Sequence, residues 1–276
     1  LKVSDYPVLP AFSDCVTECG FKNLNWAKAS EEFALHTGGL GVSLLTMEGP
    51  KTKNALELSK KYKWINRDWL IFRLSPLSLH DALPISLLCD CLTATDFSDT
   101  KRLKDILSES RNDFEASVIP DGHIFVSNRV LCTKSRKTAV DEIWNGLSQY
   151  FSLKKIADNN VEETAKNFRR IFSELKEAGS IIHITAEKSG FEKISTILHN
   201  FINDAKIREP KNARKASDED FFALTDSGEN EAFTVSSQIG FAAKAITASK
   251  YDEKESYAEE VCSHWLSNNL LWEKIR

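Results

Sequence analysis

Apolar residues in this chain return every three or four positions in one stretch after another, and every two positions in only a few. That rhythm limits the fold more than composition does, because a 3.6-residue period buries one face only when the chain is helical. The clearest case is Val161–Ala178. Val161, Ala165, Phe168, Phe172 and Leu175 form a single stripe there, and Gly179 stands just past its end. Tyr6–Cys19 repeats the pattern with Leu9, Phe12, Val16 and Cys19, and Gly20 is the expected C-terminal cap. Trp26–Leu35, Leu87–Thr95, His123–Cys132, Val140–Tyr150, Phe191–Ile202 and Glu253–Ile275 read as further helices. Ser98-Asp99 ahead of Arg102 offers an N-cap to a long helix carrying Leu103, Ile106, Leu107, Ser110 and Phe114. Strands are expected at Leu40–Leu45, after a turn at His36-Thr37-Gly38-Gly39, and within Tyr62–Leu74. Ser180–Glu187 alternates as a strand, with Ile182 and Ile184 on one face and Ile181, His183 and Thr185 on the other. Ala232–Ala243 reads as a strand pair or a strand and turn. Helices interleaved with strands in this way predict an α+β fold.

The 36 Lys and Arg against 40 Asp and Glu leave a net charge of −4, so no basic footprint suggests nucleic acid as a partner. No apolar run approaches the roughly 20 residues that span a bilayer, so no membrane partner is expected. Nothing at Leu1 resembles a signal peptide. The six cysteines, Cys15, Cys19, Cys89, Cys91, Cys132 and Cys262, fit neither a zinc knuckle nor a secreted disulfide framework. They read as reduced, small apolar residues, and the expected location is cytoplasmic. Residues 203–231 are charge-dense and carry Pro210, a basic run from Lys206 to Lys215, then Asp218-Glu219-Asp220. This stretch is the expected linker between a first unit, 1–202, and a second, 232–276. Leu77–Ile85 is what one reading frame of a common short-read sequencing adapter encodes. Residues 77–86 are therefore read as an assembly scar, and His80 and Asp81 are discounted as a catalytic pair. With no initiator Met and an abrupt stop on Lys274-Ile275-Arg276, both ends read as cut.

Several landmarks then line up in order. They are Leu9–Gly20 followed by His36-Thr37-Gly38-Gly39; Asp96-Phe97-Ser98-Asp99 with Arg102; and Gly122-His123 followed by Arg129. Glu142 to Gly146 with Tyr150, Ile182-His183-Ile184-Thr185-Ala186, and Ser267–Arg276 complete the series. In this order and spacing the chain resembles the C-terminal half of pitrilysin-type zinc metallopeptidases, in the presequence-protease and falcilysin branch. The resemblance covers nearly the whole chain. It implies four homologous α+β domains in the parent protein, closing as a clamshell, each a two-layer helix and antiparallel-sheet unit of the metalloendopeptidase type. This chain would be the third domain and a truncated start of the fourth.

The resemblance also implies where chemistry would sit. The inverted zinc motif H-x-x-E-H belongs to the first domain of such enzymes, where two His hold the metal and the Glu is the general base. No His in this chain begins that motif. In the helix that ends at Gly20, the motif positions fall on Ala11, Asp14 and Cys15, a degenerate copy without metal. Zinc is thus expected in the parent protein and not in this chain. Arg276 matches the family's substrate-holding Arg, whose guanidinium fork suits a carbonyl or developing oxyanion. His36 and His123 read as residues pinning turns, His183 as a structural residue, and Trp64, Trp69, Trp265 and Trp272 as core or half-interface. The expected function is a non-catalytic chamber wall and substrate-binding side of a zinc metalloendopeptidase that degrades unfolded peptides. Its partner would be the N-terminal catalytic half. The alternative is a natural zinc-free scaffold subunit of a two-chain peptidase.

Overall fold

Short polar residues ahead of apolar stripes start the helices, and the stripes then decide which face goes inward. Asn25, Asp99, Ser135, Asn160 and Ser217 each accept a backbone N–H from the first turn of the helix that follows. The computed structural model describes residues 1–49, 57–58, 60–62, 67–77, 83–158, 160–204, 207, 216–249 and 253–275. A 3₁₀ turn at Val3–Val8 runs into α1 (Leu9–Glu18), and α2 (Trp26–His36) leads directly into β1 (Thr37–Leu45). Antiparallel β2 (Trp69–Pro76) pairs with β1, with Leu40 opposite Leu74, Val42 opposite Phe72 and Leu44 opposite Leu70. Helices follow: α3 (Leu83–Ala94), α4 (Thr100–Ser117), α5 (Gly122–Leu131), α6 (Arg136–Asn145), α7 (Leu147–Asp158), α8 (Val161–Glu177) and α9 (Lys188–Asp204). A short α10 (Asp218–Thr225) and a final α11 (Lys254–Trp265) come last, α11 continuing through a π turn into α12 (Leu271–Ile275).

The core lies where α1, α4, α6, α7 and α8 meet. Phe12 of α1 sits in an aromatic cluster with Phe97, Phe168 and Phe172, ring centroids 5.6–6.5 Å apart, and it is fully buried. Such tilted and edge-to-face pairs add to the area they bury. Leu103, Ile106 and Leu107 of α4 and Ile171 of α8 close over the cluster. Leu40, Leu44, Leu70, Phe72 and Leu74 lay one face of the two-stranded sheet against it. The described fold is therefore helix-dominated with a small antiparallel sheet, within the α+β class.

Three expectations change. The Ser180–Glu187 stretch has no strand structure, and neither does Ala232–Ala243. Alternation selects a face, but a strand also needs a neighbour for its backbone groups, and no described strand lies beside either stretch. Ile181 and Ile182 are both exposed, so no face of that segment is buried. The His36–Gly39 turn is instead a helix-to-strand junction. Its irregularity is a bulge between Thr37 and Leu40, taken up at Gly39 with φ of 128°. Gly20 does not cap α1 in the left-handed conformation; extended Cys19 ends the helix. A Cβ on Gly20 would lie 2.4 Å from the Leu24 carbonyl oxygen, so glycine permits a close backbone crossing there. Gly179, with φ of 89°, does end α8 as expected. Within the expected linker, α10 forms and buries Phe221 against α6 and the N-terminal turn.

Candidate functional site

The face of α1 that would carry a zinc motif points into the core. Ala11 and Cys15 are fully buried, one turn apart, beneath the aromatic cluster. Ala11 offers only a methyl group. The Cys15 thiol is hydrogen-bonded with Cys19, and that contact together with burial pushes it well above the ordinary thiol range. A thiol held protonated in an apolar core does not suit a metal. These residues do not fit a zinc ion. Among the described residues, no group of three or more His, Cys, Asp or Glu is arranged to hold a metal.

Asp14 lies on the adjacent side of α1 and opens onto a groove of about 540 Å³. Its floor is apolar, from Ile106, Phe114, Phe125 and Trp144, and its rim carries Asp14, Glu18, Glu109, Asp113 and Asp121. Most of the carboxylates come from two helices, because i, i+4 spacing places Asp14 above Glu18 on α1 and Glu109 above Asp113 on α4. The Ser110 hydroxyl donates to Asp14 Oδ2 at 2.9 Å and joins the two helices. Burial raises the Asp14 carboxyl from 3.8 to about 6; the Ser110 hydrogen bond opposes the rise, and Glu18 and Asp113 add to it. Burial also raises Glu18, although Arg102 pulls the other way. Arg102 Nη2 meets Glu18 at 2.8 Å, and its guanidinium lies 4.4 Å from the Trp26 ring centre. Asp14, at the motif's general-base position, is therefore a partly protonated carboxyl near neutral pH, tied to a serine rather than to a metal-bound water.

A second polar centre, buried among α5, α6 and α7, is organised by Arg129. Its Nη1 donates to Glu142 Oε1 (3.1 Å), Ser148 Oγ (3.1 Å) and the Thr225 carbonyl (2.7 Å). Its Nη2 and Nε reach the Asp226 carbonyl and both oxygens of Glu231, the latter at 2.8 and 2.7 Å. Glu142 is fully buried, and burial pushes its carboxyl up against the pull of Ser148 and Arg129. Arg129 itself is held charged, chiefly by Glu231. Gly146 leaves the room this centre needs, since a Cβ there would fall 1.7 Å from Glu142 Oε2. Arg129, Glu142 and Gly146 stand out in the sequence only as landmarks of the family resemblance; nothing in their spacing shows that they meet.

Other expected residues are placed as follows. Arg276, the expected substrate-binding residue, lies outside the described residues, as do Trp64, His80 and Asp81. His36 ends α2, 3.6 Å from Glu32. His123 is exposed within α5 rather than pinning a turn, and His183 is exposed rather than structural. Trp69 is half-buried in β2, whereas Trp265 and Trp272 are exposed. All six cysteines are free. No described helix is long and apolar enough to cross a membrane.

A family model matches residues 1–156, a span that includes α1, the acidic groove and most of the Arg129 centre; it describes a peptidase-associated region of metallopeptidase family sixteen, subgroup C. The chain belongs to that family. Within the pitrilysin-type peptidases it stands in the presequence-protease branch. It is 23% identical over 281 residues to a mitochondrial presequence protease of Kluyveromyces lactis, covering 98% of this chain and 27% of the relative. To presequence protease 1, chloroplastic/mitochondrial, of Arabidopsis thaliana it is 23% identical over 289 residues, 100% of this chain and 24% of the relative. To protein HypA of Clostridium perfringens it is 21% identical over 272 residues, 98% and 26%. The chain thus spans about a quarter of the length of the curated relatives it matches.

Proposed function

We propose that this chain is a non-catalytic part, in the C-terminal half, of a zinc-dependent metalloendopeptidase that degrades unfolded peptides in a closed chamber. One observation carries the reading: α1 keeps the helix of the inverted zinc motif, while its ligand positions hold a buried methyl (Ala11) and a buried thiol (Cys15). A helix retained without its ligands supplies shape, not chemistry. Residues 1–202 would form the third-domain-like unit and part of the chamber wall, residues 203–231 the connector, and residues 232–276 the opening of the fourth-domain-like unit. The partner would be the catalytic half of the same protein, which would hold the zinc. Arg276, by resemblance, would grip the substrate backbone with its guanidinium fork. Six free cysteines support a reducing compartment, and we propose the cytoplasm, although the printed names of two relatives place them in organelles.

The test is to sequence the source locus through residues 77–86 and well past both ends. The expected result is an in-frame H-x-x-E-H several hundred codons before Leu1. A start codon just before Leu1 with no zinc motif ahead of it would overturn the reading in favour of a zinc-free subunit.

A further inference from the structure

The Arg129 centre does more than fill a buried space, because half of its partners come from the end of α10 and beyond. Asp226 ends α10 in the left-handed conformation, and from there to Lys254 the described chain has no helix or strand. The first part of this stretch is nevertheless fastened at successive points. Arg129 holds the Thr225 and Asp226 carbonyls and then both oxygens of Glu231. The Gly228 N–H donates back to Glu231 Oε1 at 3.1 Å, which sets that carboxylate. Phe233 lies 5.6 Å from the Arg129 guanidinium and 6.4 Å from the Phe151 ring. Further on, the Phe241 ring rests on Gly122 at the start of α5, where a Cβ would lie 2.3 Å from Phe241 Cε2. Only a residue without a side chain admits that ring.

On the far side, Ser249 is fastened to the final helix. Its N–H and hydroxyl both bond to Glu259 of α11, at 2.9 and 2.7 Å. Between these two anchors lies Ala242-Ala243-Lys244-Ala245-Ile246-Thr247-Ala248. No hydrogen bond or ion pair ties residues 242–248 to another described residue, and Ile246 is 80% exposed. Few buried contacts and unpaired backbone are the marks of a segment that opens locally at little cost.

We infer that residues 226–241 form a strap clamped to α5–α7 by Arg129 and Gly122, and that the joint to the final helices is 242–248. The charged stretch before α10 connects the units in sequence, but Glu231 and Phe241 carry the first unit's grip well past it. Movement of α11 and α12 then pivots after Phe241, and the strap stays behind.

Subtilisin digestion of the whole chain, with early cuts mapped by mass spectrometry, tests this. Wild type should be cut first within 242–248, at least tenfold faster than within 226–241. Glu231→Ala releases the carboxylate clamp. Gly122→Ala expels the Phe241 ring while placing a better helix former in α5. Each variant should raise cutting within 226–241 at least tenfold. Equal early cutting of both segments in wild type would overturn the inference, as would variants that leave cutting within 226–241 unchanged.

Discussion

Replacing Asp14 with Asn removes one negative charge from the acidic groove and keeps an oxygen for the Ser110 hydroxyl. A carboxyl raised from 3.8 to about 6 carries a penalty on its ionised form of roughly 3 kcal/mol, at about 1.4 kcal/mol per pH unit. Water on the open side of the groove screens part of this, so about 1–2 kcal/mol is expected. The direction follows from proton binding. The folded chain holds the Asp14 proton more tightly than the unfolded chain does, so the penalty is full above about pH 6. It fades as the pH falls towards 3.8, where the unfolded carboxyl also protonates. Asp14→Asn should therefore melt about 3–6 °C higher than wild type at pH 7.5. The gap should close by about pH 4.5. Thermal melts followed by far-UV circular dichroism across that range read it directly. A variant that melts no higher than wild type at pH 7.5, or a gap that does not change with pH, would refute the assignment of Asp14 as a burial-strained carboxyl.

Three further outcomes are expected. Phe168→Ala removes a fully buried ring from the cluster with Phe12 and Phe97, and urea unfolding should show a loss of about 3–5 kcal/mol. Gly146→Ala forces the buried Glu142 carboxyl off Arg129 or Ser148; a loss of roughly 2–4 kcal/mol is expected in the same assay, with φ at this position already acceptable to alanine. Rebuilding the zinc motif as Ala11→His, Asp14→Glu and Cys15→His should destabilise the chain by more than about 3 kcal/mol without conferring tight zinc binding, since both imidazoles enter a filled core. Zinc titration of the refolded variant and its urea midpoint check the two halves of that statement.

What the sequence made legible was local. The stripe of α8 and the Asp99 cap of α4 depend on residues a turn or two apart, and both form as the spacing predicts. What it hid depends on contacts across the chain. Asp14 and Ser110 are 96 positions apart, and Arg129 and Glu231 are 102 apart, so no window of sequence shows that they meet. The i, i+4 carboxylate pairs on α1 and α4 read singly as ordinary solvated helix faces, and only their meeting creates the groove. The Ser180–Glu187 alternation was a true period without a partner strand, so it described a face and not a structure. Gly20, Gly122 and Gly146 look alike as letters. One permits a backbone crossing, one seats a phenyl ring, and one makes room for a buried carboxylate.

The most direct test of the central claim is to purify the 276-residue chain, titrate it with zinc, and offer it a quenched fluorogenic peptide with and without a chelator. The α1 geometry predicts no stoichiometric zinc and no chelator-sensitive hydrolysis. One zinc per chain together with chelator-sensitive cleavage would contradict it, because Ala11, Asp14 and Cys15 could then no longer be a helix kept for shape alone.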